Sequence, residues 1–192
     1  MLERILASTR LYDAAQVAVG AGLIRARLAA NVGHAEHATV LDVGAGTGLY
    51  ARCLPASARY VWFDNDVRKL RGYLRRGGGR AVIGDGCCMG LAAKSVDYAM
   101  CTGVIHHLDN AQATRLLDEL ARIVRRGIIV QDATTDSPTL ASRVLWTLDK
   151  GVYPRSRHEL LSMIGRRFRI GHSEEYAYCH RYLLVIAAPA CS

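Results

Sequence analysis

Apolar residues fall in two alternating patterns along this 192-residue chain. Short runs rich in valine and isoleucine, "TVLDVG", "RYVWFD", "RAVIGD", "VDYAMCT", "GIIVQD" and "RYLLVIAA", are bounded by glycine, charged or polar residues. Unbroken apolar runs of this length predict strands buried on both faces. Between them lie longer segments whose apolar positions recur at three and four residues. The clearest is Ala111 to Arg125, where Leu116, Leu117, Leu120, Ile123 and Val124 share a face and Gly127 is the expected stop. Further helices are expected over Leu23–Val32, Leu49–Leu54, Val67–Arg76, Leu140–Leu148 and His158–Arg166.

Strands that alternate with helices predict a mostly parallel sheet covered on both faces, because each parallel connection must cross over the sheet. The C-terminal part departs from that pattern. "FRIGHSEEYAYC" and "HRYLLVIAA" follow one another with no room for a helix, so they are expected to form an antiparallel hairpin. The length suits a single domain. Residues 1–38 read as a mostly helical N-terminal segment, a candidate lid, ahead of a domain over residues 39–192.

Composition changes this picture little, since 51% hydrophobic and 22% charged residues are ordinary for a folded domain. Charge adds a question. Lys and Arg total 25 against 17 Asp and Glu, a formal +8, which suits an anionic partner. The arginines sit in short clusters, Arg75 and Arg76, Arg125 and Arg126, Arg166, Arg167 and Arg169, without interleaved aromatics, so nucleic acid is the less favoured partner. The six cysteines show no C-x-x-C pair and are read as small buried hydrophobes; no metal site is expected. No leader is seen in Met1 to Arg10 and no apolar run reaches about 18 residues, so the expectation is a soluble, reduced, cytoplasmic protein with no membrane span.

Candidate chemistry begins at "VLDVGAGTGLY", Val40 to Tyr50, a strand running into a turn with Gly44, Gly46 and Gly48. A phosphate loop would need a lysine and then a serine or threonine after its last glycine, and neither is present. A dinucleotide turn would need a small residue where Leu49 stands. Asp42, two residues before the first glycine, would also repel a pyrophosphate by a few kcal/mol, at ~4 to 6 Å and low effective dielectric. A cationic ligand reverses that sign. S-adenosylmethionine is such a ligand, with a sulfonium, an ammonium and no phosphate. On this reading Asp64, 20 positions after Gly44, accepts from ribose hydroxyls, and Asp85 accepts from the adenine amino group beside Gly86. Asp66, nearest the next helix, is the N-cap candidate; for Asp85 a turn role is the alternative.

The motifs "VLDVGAGTGLY", "WFDND", "IGDGCCMGL" and "SVDYAMCTGVIHHL" together resemble the class I S-adenosylmethionine-dependent methyltransferases, in particular their small-molecule branch, over about Thr39 to Asp132. The resemblance implies a Rossmann-like seven-stranded sheet of order 3-2-1-4-5-7-6 with an antiparallel inserted last strand. It implies S-adenosylmethionine as cofactor, with S-adenosylhomocysteine as product. It assigns the acidic motif residue to Asp42, the glycines to Gly44, Gly46 and Gly48, the ribose acid to Asp64 with Asn65 beside it, and the adenine side to Asp85 and Gly86. Thr102 ends the fourth strand near the methionine end, and Tyr12 in "RLYDAAQ" resembles the lid tyrosine of some relatives.

Methyl transfer is an in-line displacement, so the protein must align the acceptor and, for a weak nucleophile, take up its proton. His106 and His107, after the fourth strand, are the base candidates, with Asp132 as a weaker rival and Asp109 read as a helix cap. "SRVLWTLDKGVYPRSRH", with Trp146, Tyr153, Arg155 and Arg157, is a candidate lining for the acceptor. The expected function is methylation of a small metabolite at O, N or C. The alternatives are a methyltransferase for RNA or another polyanion, a non-catalytic S-adenosylmethionine-binding subunit and, against Asp42 and Leu49, a nucleotide-dependent oxidoreductase.

Overall fold

In the computed structural model, residues 20–136 and 153–190 are described. The expected helix Leu140–Leu148, Tyr12 and Trp146 fall outside them. Four helices are described, α1 (Ala21–Asn31), α2 (Val67–Arg75), α3 (Asn110–Ile123) and α4 (Arg157–Gly165). The strands are β1 (Thr39–Val43), β2 (Arg59–Asp64), β3 (Ala81–Ile83), β4 (Val96–Thr102), β5 (Val124–Thr134), β6 (Phe168–Ala177) and β7 (Arg181–Pro189). They form one sheet of order β3-β2-β1-β4-β5-β7-β6. β1 to β5 are parallel, while β7 enters between β5 and β6 antiparallel to both.

Two apolar layers hold the sheet. On one face, Leu41, Val43, Ala99, Cys101, Ile128 and Val130 pack against Leu116, Leu117 and Leu120 of α3 and Leu160 and Ile164 of α4. On the other face, Val40, Met100, Ile129 and Leu184 pack against Ile24 and Leu28 of α1. The strong apolar stripe of α3 starts at a capping box, in which Asp109 accepts from Gln112 N at 2.8 Å and Gln112 Oε1 accepts from Asp109 N at 3.0 Å. Asp66 likewise caps α2, accepting from Arg68 N.

Two expectations are corrected. Leu49–Leu54 forms only turns and a single 3-10 turn over Ala51–Cys53. The segment is too short to repay helix nucleation, and Pro55 pushes Leu54 into extended backbone. Gly127 does not stop α3, because the helix ends at Ile123 and β5 begins at Val124. Gly127 lies within β5, where a Cβ would stand 2.4 Å from the Ala187 carbonyl oxygen of β7. The glycine is therefore a consequence of the inserted strand. The cysteines also divide: Cys53 and Cys101 are buried, whereas Cys88 is exposed.

Strand register fixes what stands side by side at the carboxyl edge. Val43 is level with Phe63 and with Cys101, so Gly44 lies between Asp64 of β2 and Thr102 of β4, and Thr102 is level with Gln131 of β5. One pleat earlier, Trp62, Asp42, Met100 and Ile129 form the parallel row. Alternation puts both rows on the face that α1 covers.

Candidate active site

The glycine turn is stitched to β2. Gly44 N and Ala45 N both donate to Phe63 O, at 2.8 and 3.1 Å, and Trp62 Nε1 donates to Gly46 O at 2.7 Å. Asp64 completes the seam: one carboxylate oxygen accepts from Gly46 N and the other from Asp66 N, each at 2.9 Å. Gly44, Gly46 and Gly48 have φ of +70°, +56° and +74°, which disfavours side chains. At Gly48 space adds a second demand, since a Cβ would stand 2.6 Å from the Tyr73 ring, which stacks on Trp62. Asp64 thus shapes the loop, and each of its oxygens keeps a second lone pair for a hydroxyl.

Asp42 lies beneath that turn at 1% exposure and accepts from the Tyr60 hydroxyl at 2.6 Å. Burial raises its pKa to about 7, with the Tyr60 hydrogen bond opposing and Asp64 adding to the rise. A buried carboxylate poised between charge states is what an arriving cation would stabilise. Asp85 and Asn65 are exposed, at the ends of β3 and β2. Asp85 closes its own turn by accepting from Cys87 N at 2.8 Å, and at Gly86 a Cβ would meet Leu116 at 3.1 Å. The turn role weighed for Asp85 is therefore present, alongside its place at the strand end.

At the far side of the edge, the β4 to α3 loop carries His106 and His107, whose rings lie 4.1 Å apart between centroids. His106 comes back over the chain, its Cε1 3.8 Å from where a Gly103 Cβ would be. Asp132, 2% exposed at the end of β5, grips it twice, accepting from the His106 backbone N at 3.1 Å and pairing with ring Nδ1. Burial pushes the Asp132 carboxyl up, but His106 and the backbone N–H groups of Ala133 and His106 outweigh that and hold it below its ordinary value. An ionised carboxylate only accepts, so Nδ1 carries the proton and the neutral ring has its lone pair on Nε2. His107 is exposed.

Arg155 takes a different place from the acceptor lining expected of it. Its guanidinium is buried and donates to Ile105 O at 2.8 Å, Leu108 O at 2.7 Å, Tyr153 O at 3.1 Å and Asn110 Oδ1 at 3.0 Å. It clamps the histidine loop rather than offering charge to a substrate. Arg157 pairs with Glu175 at 2.7 Å. Sequence reasoning missed this clamp. Among the described residues, no three His, Cys, Asp or Glu side chains come together as metal ligands, and no helix is long and apolar enough to cross a membrane.

Residues 41–130, from β1 into β5, match the family model described as "Methyltransferase domain". That stretch of the chain is a methyltransferase domain. Solved methyltransferase structures share its fold. The partner chain in the complex with the Haloferax volcanii Trm112 methyltransferase activator is 14% identical, with a TM-score of 0.81 over 96% of each chain. The magnesium protoporphyrin IX methyltransferase of Synechocystis PCC 6803, with bound SAH, is 18% identical with a TM-score of 0.70, over 88% of this chain and 82% of that one. A SAM-dependent methyltransferase of Aquifex aeolicus is 19% identical with a TM-score of 0.67, over 86% and 89%. No curated protein matches the methyltransferase by sequence.

Proposed function

We propose that the chain methylates a small metabolite, with cofactor residues on β1 to β3 and acceptor chemistry at the ends of β4 and β5. The residues fit the cofactor: the positive-φ glycines admit close backbone approach, Asp42 suits its cationic amino-acid end, and Asp64, Asn65, Asp85 and Gly86 line the path of the nucleoside. Thr102 lies at the methionine end. Bound S-adenosylmethionine supplies the electrophilic methyl group. His106 takes the acceptor's proton at Nε2, while Asp132 keeps Nδ1 protonated and fixes the ring's direction.

A small acceptor is supported by one observation about charge. Among the described residues at this end, Arg155 is spent on loop carbonyls, and Arg157 and Arg181 both face Glu175, so little cation is left to hold a phosphate backbone. The test is His106→Asn in a screen of acceptors with labelled methyl donor. Turnover is expected to fall about 10²- to 10⁴-fold with S-adenosylhomocysteine affinity unchanged. Asp132→Asn should give a milder loss with a shifted pH profile, and an unaltered kcat in His106→Asn would remove the base.

A second reading, activity that depends on a partner subunit, draws on the likeness to a chain that assembles with an activator and on the open β3 edge, where Ile83, Val67 and Leu74 are about half exposed. Methylation by the purified chain alone excludes an obligate partner.

A further inference from the structure

A tyrosine stands beneath the glycine turn with its hydroxyl turned inward. Tyr60 of β2 is level with Val40 of β1, on the face that also carries Asp42, Trp62 and Asp64. Its hydroxyl donates to Asp42 Oδ2 at 2.6 Å, a short bond of the kind a charged acceptor makes. Its ring lies against Tyr73 of α2, 5.7 Å away between centroids and tilted by 49°. Tyr73 is itself hemmed in, stacked on Trp62 and so close to Gly48 and Gly78 that a Cβ there would stand 2.6 and 2.4 Å from its ring. The hydroxyl therefore has little freedom to turn away from Asp42.

The surroundings of Asp42 give that bond its weight. Burial and the Asp64 carboxylate both oppose its charge, and the Tyr60 hydrogen bond acts the other way. Two thiols also face it, Cys53 of the 3-10 turn and Cys101 of β4, and burial pushes both up, so they stay uncharged near neutral pH. The Arg25 guanidinium of α1 is felt at Cys53. Burial and Asp42 push the Tyr60 phenol up as well, so it keeps its proton and meets the carboxylate as a donor.

We infer that Tyr60 is a positioning residue for the cofactor: its hydroxyl holds one oxygen of Asp42 and leaves the other to the ammonium. This rests on the cofactor reading above, in which Asp42 meets the cationic amino-acid end. A carboxylate tied at one oxygen has a fixed direction, and a hydrogen bond to the charged form favours that form. Without the bond, burial would leave Asp42 largely neutral at neutral pH, and a neutral acid attracts an ammonium weakly. A lysine or arginine beside Asp42 would also favour its charge, but would repel the arriving cation. A phenol favours the charge and brings none of its own.

The test compares the full chain with Tyr60→Phe, which keeps the ring and loses the hydroxyl, by calorimetric titration between about pH 6 and about pH 7.5. Two ligands are used. S-adenosylhomocysteine carries the ammonium, whereas methylthioadenosine keeps the nucleoside and the thioether but has no amino-acid end. In Tyr60→Phe the affinity for S-adenosylhomocysteine is expected to fall about tenfold at about pH 6 and about threefold at about pH 7.5, because Asp42 then ionises at higher pH. Affinity for methylthioadenosine should stay within about twofold at each pH. In an Asp42→Asn background, Tyr60→Phe should no longer discriminate between the two ligands. A tyrosine that only fills space predicts another pattern, with both ligands weakened by the same factor at every pH. That pattern, or an unaltered S-adenosylhomocysteine affinity in Tyr60→Phe, would overturn the inference. A parent chain whose preference for S-adenosylhomocysteine over methylthioadenosine does not fall below about pH 7 would instead strike the reading of Asp42, and the inference with it.

Discussion

On the proposed function, Asp42 is the residue at which fold and cofactor make opposite demands. Burial favours its neutral form and an arriving cation favours its charged form, so its pKa near 7 places the conflict within a testable range. In the unfolded chain the group titrates near its ordinary 3.8, so between that value and about 7 the native state holds a proton that the unfolded state has lost. This contribution to stability without ligand is therefore present at the acid end, declines as pH rises to about 7, and is flat above it. Binding runs the other way. An ammonium beside Asp42 lowers its pKa and expels the proton, so below pH 7 the affinity for S-adenosylhomocysteine should weaken by up to about tenfold per pH unit. Calorimetry between about pH 5.5 and 7, where the ligand's amino group stays protonated, should show proton release in buffers of different ionisation enthalpy. Asp42→Asn should bind more weakly, without that slope. A flat profile in the parent chain would mean that Asp42 does not face the charge.

At the scale of elements, the clamp on the histidine loop offers the sharpest prediction. The four groups to which Arg155 donates come from the loop after β4, the start of α3 and its own segment before α4, so one side chain ties three pieces together. Arg155→Met should cost about 3 kcal/mol, since buried carbonyls lose charged donors, and should lower kcat more than it changes cofactor affinity. A urea midpoint equal to the parent's would show that other contacts carry the loop. This clamp was illegible in the sequence because three of its four partners lie 45 to 50 positions away and most are backbone carbonyls, which have no sequence signal. Strands β1, β2 and β4 were legible for the opposite reason. They are buried on both faces, so continuous apolar runs with polar ends marked them residue by residue. The caps at Asp66 and Asp109 were equally local. The helix expected over Leu49–Leu54 failed because a few apolar residues between a glycine turn and a proline carry periodicity but lack length. Gly127 was misread because the β7 backbone against it arrives from 60 positions later in the chain.

Across the whole molecule, sheet order separates charge from chemistry. Arg68, Arg71, Arg75, Arg76 and Arg80 lie on α2 and its exit, beside β3 at one border of the sheet. The His106 and Asp132 pair lies at β4 and β5, with β2 and β1 in between. A basic flank set apart from the proposed reacting end can attract polyanions without presenting them for methylation, and its effects are long-range and open to screening. Raising ionic strength from about 0.05 to 0.5 M shortens the screening length about threefold. Retention of the protein on RNA should then fall steeply. Methyl transfer to a small neutral acceptor should change less than about twofold in kcat/KM, because no released counterion enters that encounter. If transfer collapsed in step with RNA retention, the flank would be delivering the substrate, and a polyanion would have to replace the small metabolite as acceptor.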